Sequence, residues 1–318
     1  MSGVVLLGLG GTISMHETDS GAVPVAGAAE LTAAVAGFGA AESLALVGGS
    51  EVDFDLLELL VHRARAVVGG GADGIVVTTG TDSIEEVAAW LSYRENWPVP
   101  VVVTGSMIPG ARPDSDGRAN LADARAVAAS RADIDPVVVF AGKVLAGREV
   151  VKVSGVVRDA FDAPGRGAIG TVTSGRVRWH RTPERVAAHG DPTEALWPVP
   201  LVAGALGDDG TLLRRAGSGR PAVVVAANGS GNLPPAQAAA ARELIDDGTL
   251  VVITTRAVDA RVAPTYGYPG GGAGLASYGA QFADGVSPHR ARLLTTLGVA
   301  QRRDQDGLRA LIEAEVRP

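Results

Sequence analysis

"VVTTGTDSIEE", Val76 to Glu86, carries an apolar run into Thr-Gly-Thr-Asp and then begins a different pattern. The run opens at Gly74 as "GIVV", β-branched and bounded by glycine, which reads as a buried strand. After the turn, Ile84, Val87, Ala88 and Leu91 recur at helical spacing, so an amphipathic helix is expected from Ser83 to about Asn96. Asp82 followed by Glu85 resembles a capping box, with the Asp82 carboxylate accepting from the first N–H groups of that helix. A strand that turns tightly into a helix is the building unit of an α/β fold. Whether Thr81 and Asp82 serve only the turn or also carry chemistry depends on the rest of the chain.

The same unit recurs. "VVLLGLG" precedes the helical "AAELTAAVAGF", "VPVVVTG" precedes "RANLADARAVAAS", and "DPVVVFAG" follows. Near-continuous valine runs imply a parallel sheet covered on both faces. "GTVTSGRVRW" differs and reads as a hairpin turning at Ser174-Gly175. A Pro- and Gly-bearing stretch at 185–200 reads as a linker, beyond which "PAVVVAANGSGN", "PAQAAAARELI" and "TLVVITT" resume the rhythm. Two α/β domains are expected, 1–184 and a smaller one at 201–318, with the glycine-rich "YGYPGGGAGLASYG" as a loop.

Composition narrows the partners. The 318 residues are 46% hydrophobic, ample for a core, and carry a net charge of −7. An acidic chain is a poor match for nucleic acid or an anionic membrane, both of which need a basic surface. No apolar run reaches membrane-spanning length, and "MSGVVLLGLGG" lacks the basic start of a secretory signal, so a cytoplasmic protein is expected. Without cysteine there are no disulfides and no thiolate metal sites. Of 28 basic residues only Lys143 and Lys152 are lysine. In such an arginine-rich chain a lysine marks a place where an ammonium able to release its proton is useful, though either lysine also fits an ordinary surface position.

Three strands of the first domain end alike: Gly-Gly-Thr at 10–12, Gly-Thr-Asp at 80–82 and Gly-Ser at 105–106. Ligands of open α/β sheets bind outside the carboxyl ends of the strands, which would gather Thr12, Thr81, Asp82 and Ser106 at one edge. Hydroxyls, a carboxylate and converging N–H groups suit a small polar molecule or acyl transfer to a threonine. "GLGGTIS" lacks the third glycine of a dinucleotide site, and no loop ends in Gly-Lys-Ser/Thr. His16, His62, His180, His189 and His289 show no metal-ligand spacing, and there is no Gly-x-Ser-x-Gly elbow. A nucleophile with no histidine nearby needs another base, and a desolvated lysine serves. No cofactor or metal is expected.

Taken together, "GLGGTIS", "TTGTDSIEE", "VVVTGSMIP", "PDSDGRANL" and "VLAGREVVKV" resemble the bacterial-type L-asparaginase/glutaminase family, and "ANGSGNLP" and "SPHRARLL" extend the likeness into the second domain. The resemblance implies a larger N-terminal flavodoxin- or Rossmann-like, mostly parallel sheet with a hairpin, and a smaller C-terminal α/β domain. It implies an amidohydrolase converting L-asparagine to L-aspartate and ammonia, in a homotetramer of intimate dimers with active sites between subunits. Thr12 takes the position of the acylated nucleophile, while Thr81, Asp82 and Lys152 take those of the second catalytic set. Asp82 is then expected to bind the substrate's α-ammonium and pair with the lysine while also capping its helix, and Lys143 to be a surface residue. Ser50, Glu51, Gly80 and Ser106 fall on substrate-binding positions, and Asn232 on the residue sent by a neighbouring subunit.

Two family features are missing. The segment after Thr12, "SMHETDSGAVPVAG", has no tyrosine, the matching position lying near Gly21 or Ala22. The glutamate that a partner sends toward that tyrosine falls around Gly272. Tyr266, Tyr268 or the Thr81 set are the expected substitutes for activating Thr12. Two other readings share the motifs. One is an amidase subunit of a tRNA-dependent amidotransferase, which the absence of an added N-terminal domain and a basic surface disfavours. The other is a catalytically impaired amino-acid-binding protein.

Overall fold

The computed structural model describes residues 3–130, 133–181 and 185–316, so the expected domain edge at 184 lies outside the described residues. The chain divides into two compact units, Met1–His189 and Gly190–Pro318.

In the first unit, β1 (Val4–Gly10) leads through the short β2 (Met15–Thr18) and β3 (Gly21–Pro24) to α1 (Ala28–Ala34) and β4 (Phe38–Val47). Then come α2 (Phe54–Gly69), β5 (Gly74–Thr78), α3 (Ile84–Arg94), β6 (Val101–Thr104), α4 (Gly117–Ala128) and β7 (Val137–Phe140). The strands β8 (Lys143–Ala146), β9 (Val151–Lys152), β10 (Phe161–Asp162), β11 (Gly170–Thr173) and β12 (Arg176–Trp179) complete it. Eight strands form one sheet in the order β12-β11-β8-β7-β6-β5-β1-β4. The β4–β1–β5–β6–β7 part is parallel, and β8, β11 and β12 add antiparallel strands.

Valine dominates the central strands because both their faces are covered. Val4, Leu6, Val76, Val102 and Val137 share one core cluster with Leu121, Ala124 and Val127 of α4. The alternating set Val5, Leu7, Ile75 and Val77 is buried as well, on the side of α2 and α3. From β1 the chain goes one way to β4 and returns across β1 to β5. The carboxyl ends of β1 and β5 therefore flank the point where strand order reverses, the place where such sheets bind ligands.

The hairpin expected at Ser174-Gly175 is present, with φ of 50° and 73° at its two central residues. Both being positive matches the right-handed twist of the flanking strands. Three features lie outside or against the sequence reading. The helix read from "AAELTAAVAGF" stops at Ala34, and Phe38 already opens the ten-residue edge strand β4. That strand is poor in β-formers, and its pairing with β1 rather than propensity sets its state. Second, the segment after Thr12 is an antiparallel ribbon of β2 and β3, pairing His16 with Val23 and Glu17 with Ala22.

The third difference lies in the second unit. There β13 (Leu201–Ala203), α5 (Thr211–Gly217), β14 (Ala222–Ala227), α6 (Pro235–Asp246), β15 (Leu250–Thr255), α7 (Gly272–Tyr278), β16 (Gln281–Phe282), α8 (Pro288–Ala300) and α9 (Gln305–Glu313) follow in order. Its four strands pair in parallel as β13-β14-β15-β16. The second half of the glycine-rich stretch, expected as a loop, is α7, closed by Gly279 in the left-handed region. Its Leu275 is buried in the core with Leu233 and Ile253, burial that outweighs the low helix propensity of glycine. Among the described residues no helix is long and apolar enough to cross a membrane.

Candidate active site

Three glycines build the site. A Cβ at Gly11 would collide with the Gly80 backbone, and one at Gly80 would collide with the Gly49 backbone. Only residues without side chains let the loops after β1, β4 and β5 touch main chain to main chain. Gly11 has φ 81°, a left-handed conformation that also favours glycine, and its N–H donates to Val47 O at 2.8 Å. This stacking places Thr12, Ser50, Glu51, Thr81 and Asp82 on adjoining loops. Gly80 thus acts in the structure through its missing side chain.

Thr81 is 7% exposed, and Lys152 Nζ donates to its Oγ1 at 2.9 Å and to Asp82 Oδ1 at 2.6 Å. The Lys152 side chain is 18% exposed and that of Asp82 66%. An exposed ion pair is worth about 0–1 kcal/mol, too little to explain the arrangement by stability. The outer face of the Asp82 carboxylate stays open to a second cation. The expected helix cap is not formed: Ser83 occupies the N-cap position of α3, and no side chain caps the helix. Asp82 turns to Lys152 instead, and Ser83 Oγ donates to Gly80 O at 3.1 Å, closing the turn from within.

Thr12 opens a short 3-10 turn directly after Gly11, and its carbonyl accepts from Gly110 N at 3.0 Å. Among the described residues its hydroxyl has no hydrogen-bond partner, and neither do the backbone N–H groups of Thr12 and Thr81. Free N–H donors beside a free hydroxyl are what an oxyanion and its nucleophile require. Ser50 is exposed, and Glu51 folds one carboxylate oxygen back onto Gly48 N at 2.6 Å.

Ser106 is fully buried, its Oγ donating to Asp116 Oδ1 at 2.8 Å. The same carboxylate accepts from Met107 N at 3.1 Å and Ile108 N at 3.0 Å, while Asn120 Nδ2 donates to Gly105 O at 3.1 Å and to Asp116 Oδ2 at 3.0 Å. The "PDSDGRANL" stretch is therefore a clamp on the 105–108 turn. Sequence reasoning quoted the motif without assigning Asp116 or Asn120, although their separation by one helical turn points both the same way.

Lys143, expected at the surface, is three-quarters buried; it donates to Phe161 O at 2.6 Å and pairs with Asp159 at 2.6 Å. It thereby anchors β10, which among the described residues is the one strand paired with β9, the carrier of Lys152.

In the second unit, Asn232 Oδ1 accepts from Gly272 N at 3.1 Å. Asn232 also lines a cavity of about 740 Å³ with Asp208, Asn228 and Tyr268. Tyr266 and Tyr268 are about half exposed and stack with ring centroids 5.8 Å apart.

Comparisons with known proteins bear on the family and the fold. Residues 3–185 match the model of the asparaginase N-terminal domain, and residues 198–312 that of the glutaminase/asparaginase C-terminal domain. The chain belongs to the asparaginase family. It is 37% identical over 258 residues to a probable L-asparaginase of Deinococcus radiodurans, covering 75% of this chain and 74% of that one. To one subunit of the glutamyl-tRNA(Gln) amidotransferase of Halobacterium salinarum it is 33% identical over 224 residues, 64% of this chain and 52% of that one. The fold is that of the thermostable L-asparaginase from Thermococcus kodakarensis, with a TM-score of 0.88 at 23% identity and full coverage of both chains. An asparaginase-type amidohydrolase is thus supported on sequence, and the α/β architecture on structure.

Proposed function

We propose that this asparaginase-family chain hydrolyses L-asparagine to L-aspartate and ammonia through an acyl-enzyme on Thr12. The observation that carries the reading is the Lys152 ammonium held against both Thr81 Oγ1 and Asp82 Oδ1, on the loop that the glycine stack joins to Thr12. Asp82 receives the substrate's α-ammonium on its open side, with Ser50 and Glu51 next to it. Thr12 Oγ bonds to the side-chain amide carbon, and the carbonyl oxygen becomes an oxyanion facing the N–H groups of Thr12 and Thr81. Each such donor is worth roughly 3–4 kcal/mol in comparable sites. Collapse breaks the C–N bond, and the nitrogen leaves as ammonia with the proton Thr12 gave up. Water then attacks the β-aspartyl ester while Thr81 relays its proton to Lys152 in its free-amine form, which returns it to Thr12 as the ester bond breaks.

The active unit in this proposal is a cytoplasmic homotetramer of intimate dimers, with Asn232 reaching a neighbour's site. Tyr266 and Tyr268 are the candidates for activating Thr12 in place of the family's missing tyrosine, and Tyr→Phe at each position tests that. A second reading, an ammonia-supplying amidotransferase component or a glutaminase, draws on the likeness to the Halobacterium amidotransferase. Ammonia release from asparagine and glutamine by purified protein separates these: rapid release from asparagine supports the proposal, release from glutamine alone favours the second. Heat of asparagine binding with no ammonia would leave an amino-acid-binding protein.

A further inference from the structure

Lys152 is held at its root as well as its head. Its backbone N–H donates to Glu85 Oε2 at 3.0 Å. Successive N–H groups of a strand point to opposite sides. Val153 N–H goes to Ala160 O at 2.8 Å on the β10 side, so the Lys152 N–H faces α3, where Glu85 waits in the first turn. β9 spans two residues and, among the described residues, pairs with β10 alone, so little else fixes its far edge.

Glu85 is 7% exposed, and among the described residues the Lys152 N–H is its one hydrogen-bond partner. A carboxylate that deep is unfavourable unless bonded, and a leucine would pack there without that penalty. It caps nothing, since no side chain caps α3. What it does is charge-assisted and directional: it ties the lysine backbone to the helix whose preceding turn supplies Thr81 and Asp82. One rigid element then sets both ends of the Lys152 side chain.

We propose that Glu85 is a positioning residue that sets Lys152 against Thr81, and so governs the rate of the proton transfers those two perform. The inference rests on the proposed roles of Thr81 and Lys152. Misplacing a reacting group by about 1 Å costs roughly 10²-fold in rate. Asp82 and its neighbours, which hold the substrate, stay in place, so kcat falls rather than KM rising.

Two variants of the full chain test it. Glu85→Gln keeps an oxygen at the same reach; Glu85→Leu removes it, and Glu85→Ala stands in if the leucine variant does not fold. Expected is a loss of about tenfold or more in kcat for Leu or Ala with KM unchanged or lowered but not raised, and retention of at least about a third of kcat for Gln. Full kcat in the Leu or Ala variant, or a Gln variant as slow as Leu, would overturn it.

A second readout is independent of activity. The chain has only two lysines, so acylation of Lys152 relative to Lys143 by a lysine-directed anhydride, followed by peptide mass mapping, reports the freedom of Lys152. Faster modification of Lys152 in the Leu variant, reversed in Gln, supports the inference; an unchanged ratio contradicts it. If the wild type releases no ammonia, the functional reading fails, and this ratio still decides the role of Glu85.

Discussion

Asp82 and Lys152 divide the work by exposure: the carboxylate is 66% open and the ammonium 18%. In the proposed reaction the open partner binds substrate and the enclosed partner moves protons. Lys152→Met and Thr81→Val should therefore each lower kcat by more than about 10²-fold without raising KM, since a stalled ester lowers both, whereas Asp82→Ala should chiefly raise KM. Steady-state ammonia assays read both, and a Lys152→Met protein near wild-type kcat would remove the lysine from the mechanism. Thr12, Thr81, Asp82 and Lys152 were legible because each lies in a short motif whose glycines or rarity single it out. The capping role of Asp82 was misread for a physical reason. Local sequence shows the N–H groups of the next turn, but not the ammonium, 70 residues onward, that competes for the same carboxylate. Glu85 stayed hidden because its partner is a backbone N–H 67 residues away, which no side-chain pattern announces.

Elements come together at the site through glycine. Gly80→Ala should cost about 1–3 kcal/mol by overpacking against Gly49 and also depress kcat, because it pushes Thr81 away from Thr12. Gly21→Ala is the contrast: a Cβ there meets nothing within 4 Å, so only its φ of 116° is strained, and activity should be kept. Denaturant midpoints and kcat on the same samples check the pair, and equal activity loss in both would deny the glycine stack its special place. The central strands and α3, α4 and α6 were readable because double-sided burial writes itself as valine runs and 3.6-residue periodicity. Other elements were not, α2 and α5 among them. The edge strand β4 is half exposed and lacks that pattern, the β2–β3 ribbon has no core face, and α7 is helical despite its glycines because Leu275 is buried.

At the scale of the whole molecule, one half-buried carboxyl contributes to the dependence of stability on pH. Burial raises the Asp123 carboxyl above the ordinary carboxylate range, and among the described residues no cation faces it. The folded state then holds its proton more tightly than the unfolded chain, so stability falls as pH rises from the ordinary carboxylate range through the raised value. Asp123→Asn should accordingly raise Tm at pH 7 and leave it unchanged near pH 3; an equal gain at both would refute the linkage. Assembly is the second global expectation: sedimentation under assay conditions should show at least a dimer, and a fully active monomer would contradict the role given to Asn232. The most direct test of the account reads the mass of the intact chain after rapid acid quench with asparagine. The two threonines act in successive steps, so removing them singly should leave different species. Thr81→Val is predicted to carry one β-aspartyl group on Thr12, and Thr12→Ala to carry none. An adduct on Thr81, or none in the Thr81→Val protein while ammonia is still released, would contradict it.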